Sequence, residues 1–338
     1  MRKLSLTLAA LSIAAGAAAV VADATAPGKS GLIAFRRYFN DAHSASAIFT
    51  IKADGTGERR LTHAPAGTFD DQPDWAPDGS LLAFSRCPTN NGACAVFTMR
   101  PDGSQVKRLS PPCPPGSEPP ACEDNANVSF SPDGRQLVFT RASGDVKPDR
   151  LVENIIQHSA IVVMDRNGAH RRVIVQAAPY SADLNWPQFS PDGSRLVYER
   201  ANSSRNKPAG KRALFVVDVA SRSQRRITPW VLNAGDNPDW SPDGKWILFR
   251  SHVDDGGVSN VYVIHPDGSG MKRLTSFTKP GNVLASSSFS PDGKQIVLAS
   301  AGVGGNADVY VMHADGSDMH PVTRTRLWDS APDWGPAS

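Results

Sequence analysis

Apolar residues come in short runs along this chain, and the same polar punctuation stands before them each time. The stretch WSPDGKWILF, residues 240–249, is nearly repeated as FSPDGRQLVF at 130–139, FSPDGSRLVY at 189–198 and FSPDGKQIVL at 289–298, with a variant WAPDGSLLAF at 75–84. Each copy places one aromatic residue before a tight-turn signal and an apolar run after it. Pro presets φ, Asp bonds local backbone, and Gly accepts a left-handed φ. The prolines fall at Pro77, Pro132, Pro191, Pro242 and Pro291, and a degenerate sixth copy, Pro332-Asp333-Trp334-Gly335-Pro336, closes the sequence. Spacing drifts between 45 and 59 residues while the motif stays fixed, so the insertions belong in loops.

Each repeat carries four strand signals. One ends in the Trp or Phe before the turn. The second is the apolar run after it, such as Ile247-Leu248-Phe249. The third is β-branched and aromatic, as in Val261-Tyr262-Val263-Ile264 and Val309-Tyr310-Val311-Met312. A second tight turn follows at Asp54-Gly55, Asp102-Gly103, Asp267-Gly268 and Asp315-Gly316, then a brief fourth strand such as Arg60-Leu61-Thr62 or Arg273-Leu274-Thr275. Helical periodicity is absent. Four short antiparallel strands repeated six times predict an all-β fold, a six-bladed β-propeller. The stretch from Gly31 to Phe35 reads as a second strand with no first strand before it. The missing strand is supplied by 331–336, so pairing of the N- and C-terminal strands should close the ring.

The S-P-D-G turns, D-G-S turns and R-L-T strands make residues 28–338 resemble the TolB propeller domain and the wider WD-like propeller repeats of exported bacterial proteins. The resemblance implies the propeller without the α/β domain that precedes it in TolB. It is specific for fold and says little about function.

Arg2 and Lys3 followed by an Ala- and Leu-rich stretch, closed by Ala22-Asp23-Ala24, read as a signal peptide over residues 1–24, with Ala24-Thr25-Ala26 as a second cleavage site. The expected product is exported, periplasmic or secreted, not membrane-spanning, and monomeric. The formal net charge is +3, and the first 24 residues hold two cations and one anion of it, so no global charge recruits nucleic acid. The four cysteines fit an oxidising compartment. Their C-x6-C and C-x8-C spacings lack the tight hooks zinc prefers, and two local disulfides are expected, Cys87–Cys94 and Cys113–Cys122.

Strand direction sorts the connections onto two faces. Both tight turns of each repeat share one. The other holds all the length variation, the cysteines, the basic insertion from Arg205 to Arg212 and the segment from Ala142 to His158. Irregular loops on a rigid scaffold are where binding sites are usually placed, so this loop-rich face is the candidate surface. Asp70, Asp71, Asp124, Asp183, Asp236 and Asp329 gather at its mouth, with Asp74, Asp239 and Asp333 just before the repeated Trp. Such carboxylates suit a cation, with Ca2+ in the central channel as one expectation, or a hydroxylated ligand. Turn chemistry is the plainer reading. Trp186, Trp230 and Trp328 lie in the same connections and would stack a sugar or pack beneath loops, whereas Trp75, Trp240 and Trp334 should be inter-blade core. Basic pairs such as Arg59-Arg60 and Lys272-Arg273 fall at outermost strands, where charge blocks edge-to-edge pairing. No G-x-S-x-G elbow or H-E-x-x-H motif is present. The sequence therefore favours a non-enzymatic propeller that binds a protein or cell-envelope component, with no cofactor. A polysaccharide lyase, glycoside hydrolase or sugar-binding protein using the mouth Asp and Trp residues is the alternative.

Overall fold

The computed structural model describes residues 28–89, 92–111, 122–149, 153–251, 258–278, 283–301 and 305–337. The expected signal peptide lies outside them, and so does Cys113 with the second expected disulfide. The described residues form six antiparallel sheets of four strands. The first blade contains β1 (Ser30–Tyr38), β2 (Ser46–Ile51) and β3 (Arg59–Arg60). The second has β4 (Thr68–Trp75), β5 (Leu82–Pro88), β6 (Ala95–Met99) and β7 (Lys107–Arg108), and the third β8 (Asp124–Phe130), β9 (Gln136–Asp149), β10 (Glu153–Asp165) and β11 (Arg172–Gln176). The fourth has β12 (Ala182–Phe189), β13 (Arg195–Asn202), β14 (Arg212–Asp218) and β15 (Gln224–Arg226). The fifth is β16 (Ala234–Trp240), β17 (Ile247–Ser251), β18 (Asn260–Ile264) and β19 (Lys272–Arg273). The sixth is β20 (Val283–Phe289), β21 (Gln295–Ala301), β22 (Ala307–His313) and β23 (His320–Pro321). The last strand, β24 (Trp328–Pro336), pairs with β1 and completes the first blade, as the phase of the repeat predicts. The innermost strands β24, β4, β8, β12, β16 and β20 touch one another in ring order.

The repeated motifs earn their place through hydrogen bonds. In the fourth blade Gly193 N–H donates to Ser190 O (2.8 Å), Ser190 Oγ donates to Asp192 Oδ1 (2.6 Å), and Arg195 N–H donates back to Ser190 Oγ (3.0 Å). Gly193 sits at φ 70°, where a Cβ is strained. The Thr just past the outermost strand serves the third strand: Thr62, Thr275 and Thr323 each accept a buried backbone N–H, from Ile48, Val261 and Val309. Aromatic residues before the turn fill the spaces between blades. Trp75, Trp240 and Trp334 are all buried, in three different apolar clusters. The outermost basic pairs at β3, β7 and β19 are exposed, where an edge carries charge.

Two local features depart from the sequence reading. The segment from Ala142 to His158 is not an irregular loop. β9 and β10 continue through it as a paired ribbon that reaches Glu153↔Asp149, with a register shift between Ile156 and His158. The opposing strand supplies the ladder that holds it. The second concerns Trp246, which stands where other repeats carry the polar Gln136, Arg195 and Gln295. It is half-buried, stacked on the His265 ring at 3.9 Å with Lys272 Nζ 4.6 Å away. The Cys87–Cys94 disulfide joins the end of β5 to the start of β6, as the spacing suggested.

Candidate functional site: channel and loop-rich mouth

Each innermost strand is broken at the same place. Gln72, Asn127, Trp186, Asn237, Ser286 and Ala331 all have φ between 51° and 57°, and the pairing with the next strand shifts register beside each of them. These are β-bulges, which re-aim side chains. Pro73, Pro187, Pro238 and Pro332 follow four of the six, a position where a missing N–H is tolerated. Five of the bulge residues line the narrow part of the channel, a cavity of about 40 Å³, which is room for roughly three water molecules.

Beyond the bulge, toward the turn face, stand Asp74, Asp239 and Asp333. Each carboxylate reaches into the following blade. Asp74 Oδ1 accepts Phe130 N–H (2.8 Å), Asp239 Oδ2 accepts Phe289 N–H (2.7 Å), and Asp333 Oδ2 accepts Trp75 N–H (2.7 Å). Asp239 Oδ1 also takes Trp240 N–H (2.8 Å), and Asp333 Oδ1 takes Ser288 Oγ–H (3.1 Å). In the blades without Asp, Ser129 Oγ donates to Gln188. Burial pushes Asp239 up to about 7 and Asp333 up to about 6. Burial, followed by the charge of Asp333, holds Asp74 well above the usual carboxylate range. These three are clasps between blades whose oxygens are already engaged.

The six mouth aspartates do not form one ring, because the bulge gives neighbouring positions different directions. Asp71 and Asp236, one residue before the bulge, meet arginines: Arg36 on Asp71, Arg250 on Asp236, and Arg212 Nη1 3.7 Å from Asp236. Asp70 and Asp329, one residue earlier, are fully buried in their own blades. Arg86 grips Asp70 through Nε (2.6 Å) and Nη2 (2.9 Å), and Arg37 grips Asp329 through Nε (2.6 Å) and Nη2 (2.8 Å). Asp124 and Asp183, three before the bulge, face the preceding blade. Asp124 accepts Cys94 N–H (2.9 Å), and burial raises its carboxyl. Asp183 is pushed up to about 6 by burial and then by the charge of Glu199, and its Oδ1 is buried with no hydrogen-bond partner among the described residues. Among the described residues no three His, Cys, Asp or Glu side chains converge as metal ligands. The tryptophans are likewise separate. Trp186 lines the channel, Trp230 packs against Phe215 (5.9 Å) under Arg226 (5.4 Å), and Trp328 lies 5.1 Å from His43.

The sequence reading overlooked the partners, namely Arg36, Arg37, Arg86, Arg250 and Glu199. A signal was present. The second strands read AFRR, AFSR, VYER and LFRS, with a charge one or two residues past the aromatic. Glu199 is the odd member: 1% exposed, it accepts Asp236 N–H from the next blade (2.8 Å). A Cβ on Gly235 would lie 1.8 Å from Glu199 Oε2, so glycine there makes room for the carboxylate.

A closed ring of six four-stranded blades around a narrow polar channel defines a β-propeller. Residues 151–338, more than half of the chain, match the TolB beta propeller domain, and the chain belongs to that family. The solved TolB from Acinetobacter baumannii superposes with a TM-score of 0.68 at 20% identity, covering 90% of this chain and 67% of that one. "Uncharacterized protein Atu1656" of Agrobacterium fabrum is 28% identical over 45% of this chain and 46% of its own. Dipeptidyl-peptidase 5 of Porphyromonas gingivalis is 24% identical over 63% of this chain and 34% of its own. The chain thus spans less than half the length of both curated relatives.

Proposed function

We propose that this is an exported, non-enzymatic propeller that binds a protein or cell-envelope component through its loop-rich face. One observation carries the reading. Most carboxylates of the channel and mouth are already engaged in structural contacts, in clasps between blades to backbone N–H groups or in ion pairs with second-strand arginines. What distinguishes one blade from another is the length and charge of its loop-rich connections. The Cys87–Cys94 disulfide supports export, and among the described residues no helix is long and apolar enough to cross a membrane. The full chain should capture a discrete component from envelope extract. A variant with residues 205–210 replaced by a Gly-Ser turn should lose it, while one altered at Asp267-Gly268 on the turn face should not. Capture unchanged by the loop replacement would sink the proposed face.

A second reading, a polysaccharide lyase or glycoside hydrolase, is favoured by Asp183 alone. A carboxyl pushed up to about 6 beside a second carboxyl is the pattern of an acid–base pair. Turnover in a glycan panel that vanishes in both Asp183→Asn and Glu199→Gln would establish it. Loss in Asp236→Ala alone would point to the Arg250 pairing instead.

A further inference from the structure

The connection from β13 to β14, SSRNKPAGK over residues 203–211, is a built structure rather than a slack loop. Asn202, 1% exposed, holds it from within. Its Nδ2 donates to Lys207 O and Pro208 O (3.3 Å each), its backbone N–H donates to Lys211 O (2.9 Å), and its carbonyl accepts Gly210 N–H (3.0 Å). Ser203, fully buried, bonds outward to the previous connection: N–H to Ser181 O (2.9 Å) and Oγ–H to Tyr180 O (2.9 Å). Ser204 donates to Asp149 at the end of β9, through Oγ (2.6 Å) and N–H (3.1 Å). Most of the loop's backbone N–H groups are bonded, and the side chains of Arg205 and Lys207 are left exposed.

Among the described residues Lys147 and Arg205 have an aromatic ring, not an acid, as their neighbour. Lys147 Nζ lies 4.3 Å from the Tyr180 ring and the Arg205 guanidinium 5.4 Å from it, so the two gather on one aromatic rather than on an acid. Of the carboxylates near them, Asp149 is buried and engaged by Ser204. Among the described residues, Lys147, Arg205 and Lys207 make no ion pair. At its other end the insertion abuts an apolar projection. Arg212 N–H donates to Asn233 Oδ1 (2.9 Å), which fixes β14 to the short 3-10 turn Trp230–Leu232. Val231 in that turn is 80% exposed, nearly twice any other large apolar side chain among the described residues.

Resting on the binding reading above, we propose that the 203–211 insertion with the Trp230-Val231 projection docks an acidic peptide segment of a partner protein, one that carries an apolar residue among its carboxylates. Pinning the loop beforehand removes the ordering cost that a flexible basic loop would bear. Cations on a preformed loop attract and orient carboxylates, and Val231 gives an apolar side chain a neighbour that a polyhydroxylated or polyphosphate ligand does not use. The anionic glycan and the nucleic acid are the rivals.

The test uses the full chain and a fluorescein-labelled twelve-residue Asp/Glu peptide with a central Leu, read by anisotropy. Polygalacturonate and single-stranded DNA serve as rival anions. The peptide should bind, and Arg205→Glu/Lys207→Glu should weaken it by about tenfold or more, since two reversals change four units of charge. Val231→Ser should weaken it by about threefold, and the effect should vanish with a peptide bearing Ser for Leu. The altered side chains are exposed, so an unchanged melting curve separates docking from folding. Binding unaffected by the reversals, or polygalacturonate or DNA held as tightly as the peptide, would overturn the proposal. If the 205–210 replacement abolishes envelope capture while the reversals leave it intact, the face stands and its assigned chemistry is rejected.

Discussion

Replacing Arg37 by Met should destabilise the fold by about 3–5 kcal/mol, the cost of leaving a buried carboxylate without its partner. Arg37 sits on β1 and grips Asp329 on β24 with two hydrogen bonds, and Glu58 with two more (2.6 and 2.9 Å). Asp329 is fully buried, whereas Glu58 is partly exposed and can return to water. The pair lies in the seam where the last strand joins the first, so its loss opens the ring rather than one hairpin. Burial already raises the Asp329 carboxyl, with Arg37 opposing. Without Arg37 that rise is larger, and a raised folded pKa stabilises at low pH and is lost as pH climbs. The deficit relative to wild type should therefore shrink on acidification. Arg37→Met/Asp329→Leu should recover much of the loss, because an apolar pair leaves no orphan charge. Urea denaturation across the four members of this cycle checks it. A single substitution costing under about 1 kcal/mol, the range of an exposed pair, would show that the seam does not depend on this contact.

The stability of the whole propeller should peak on the acid side and decline as pH rises toward 7. Asp239 at about 7 and Asp333 at about 6 keep a proton in the folded chain that an unfolded carboxyl releases near 3.9. Groups raised in this way contribute stability that is fully present below the unfolded value and lost through the folded one. Asp102, Asp267 and Asp315 act oppositely. The hydroxyl of the following Ser, then its N–H, bonds each carboxylate and holds it below the usual range. Their contribution is present above the ordinary carboxylate value and lost on acidification. The maximum falls between the two windows. Asp239→Asn should flatten the decline between about pH 4 and 7 by up to about 1.4 kcal/mol per pH unit, the effect of one proton. The slope is the readout, because Asn also gives up one acceptor of the clasp. A flat wild-type profile over that range, or an unaltered slope in the variant, would contradict the assignment.

Much of this molecule is local and therefore legible in the chain. The Ser-Pro-Asp-Gly turn is written within six residues, and its hydrogen bonds close between Ser190 and Arg195. Apolar runs of strand length and the aromatic before each turn mark the blades and their packing, and the missing first strand at Gly31 announces the closure by β24. The Cys87–Cys94 bond is legible for the same reason.

The roles of the acidic residues were decided by the tertiary structure. Asp70 and Asp71 are adjacent in sequence, yet one is buried on Arg86 within its blade and the other meets Arg36 from the neighbouring blade. The bulge at Gln72 ends the simple two-residue alternation, so direction cannot be counted along the strand. Asp329 and Arg37 are 292 residues apart, and only ring closure brings them together. Likewise Asp74, Asp239 and Asp333 look like free carboxylates until the next blade presents its N–H groups. The sequence by itself determined the repeat, the turns, the strands and the core, because each depends on residues a few positions apart. Which carboxylates clasp, which pair, and which cations stay open on the 203–211 insertion were settled by register shifts and contacts between blades, which no local pattern encodes.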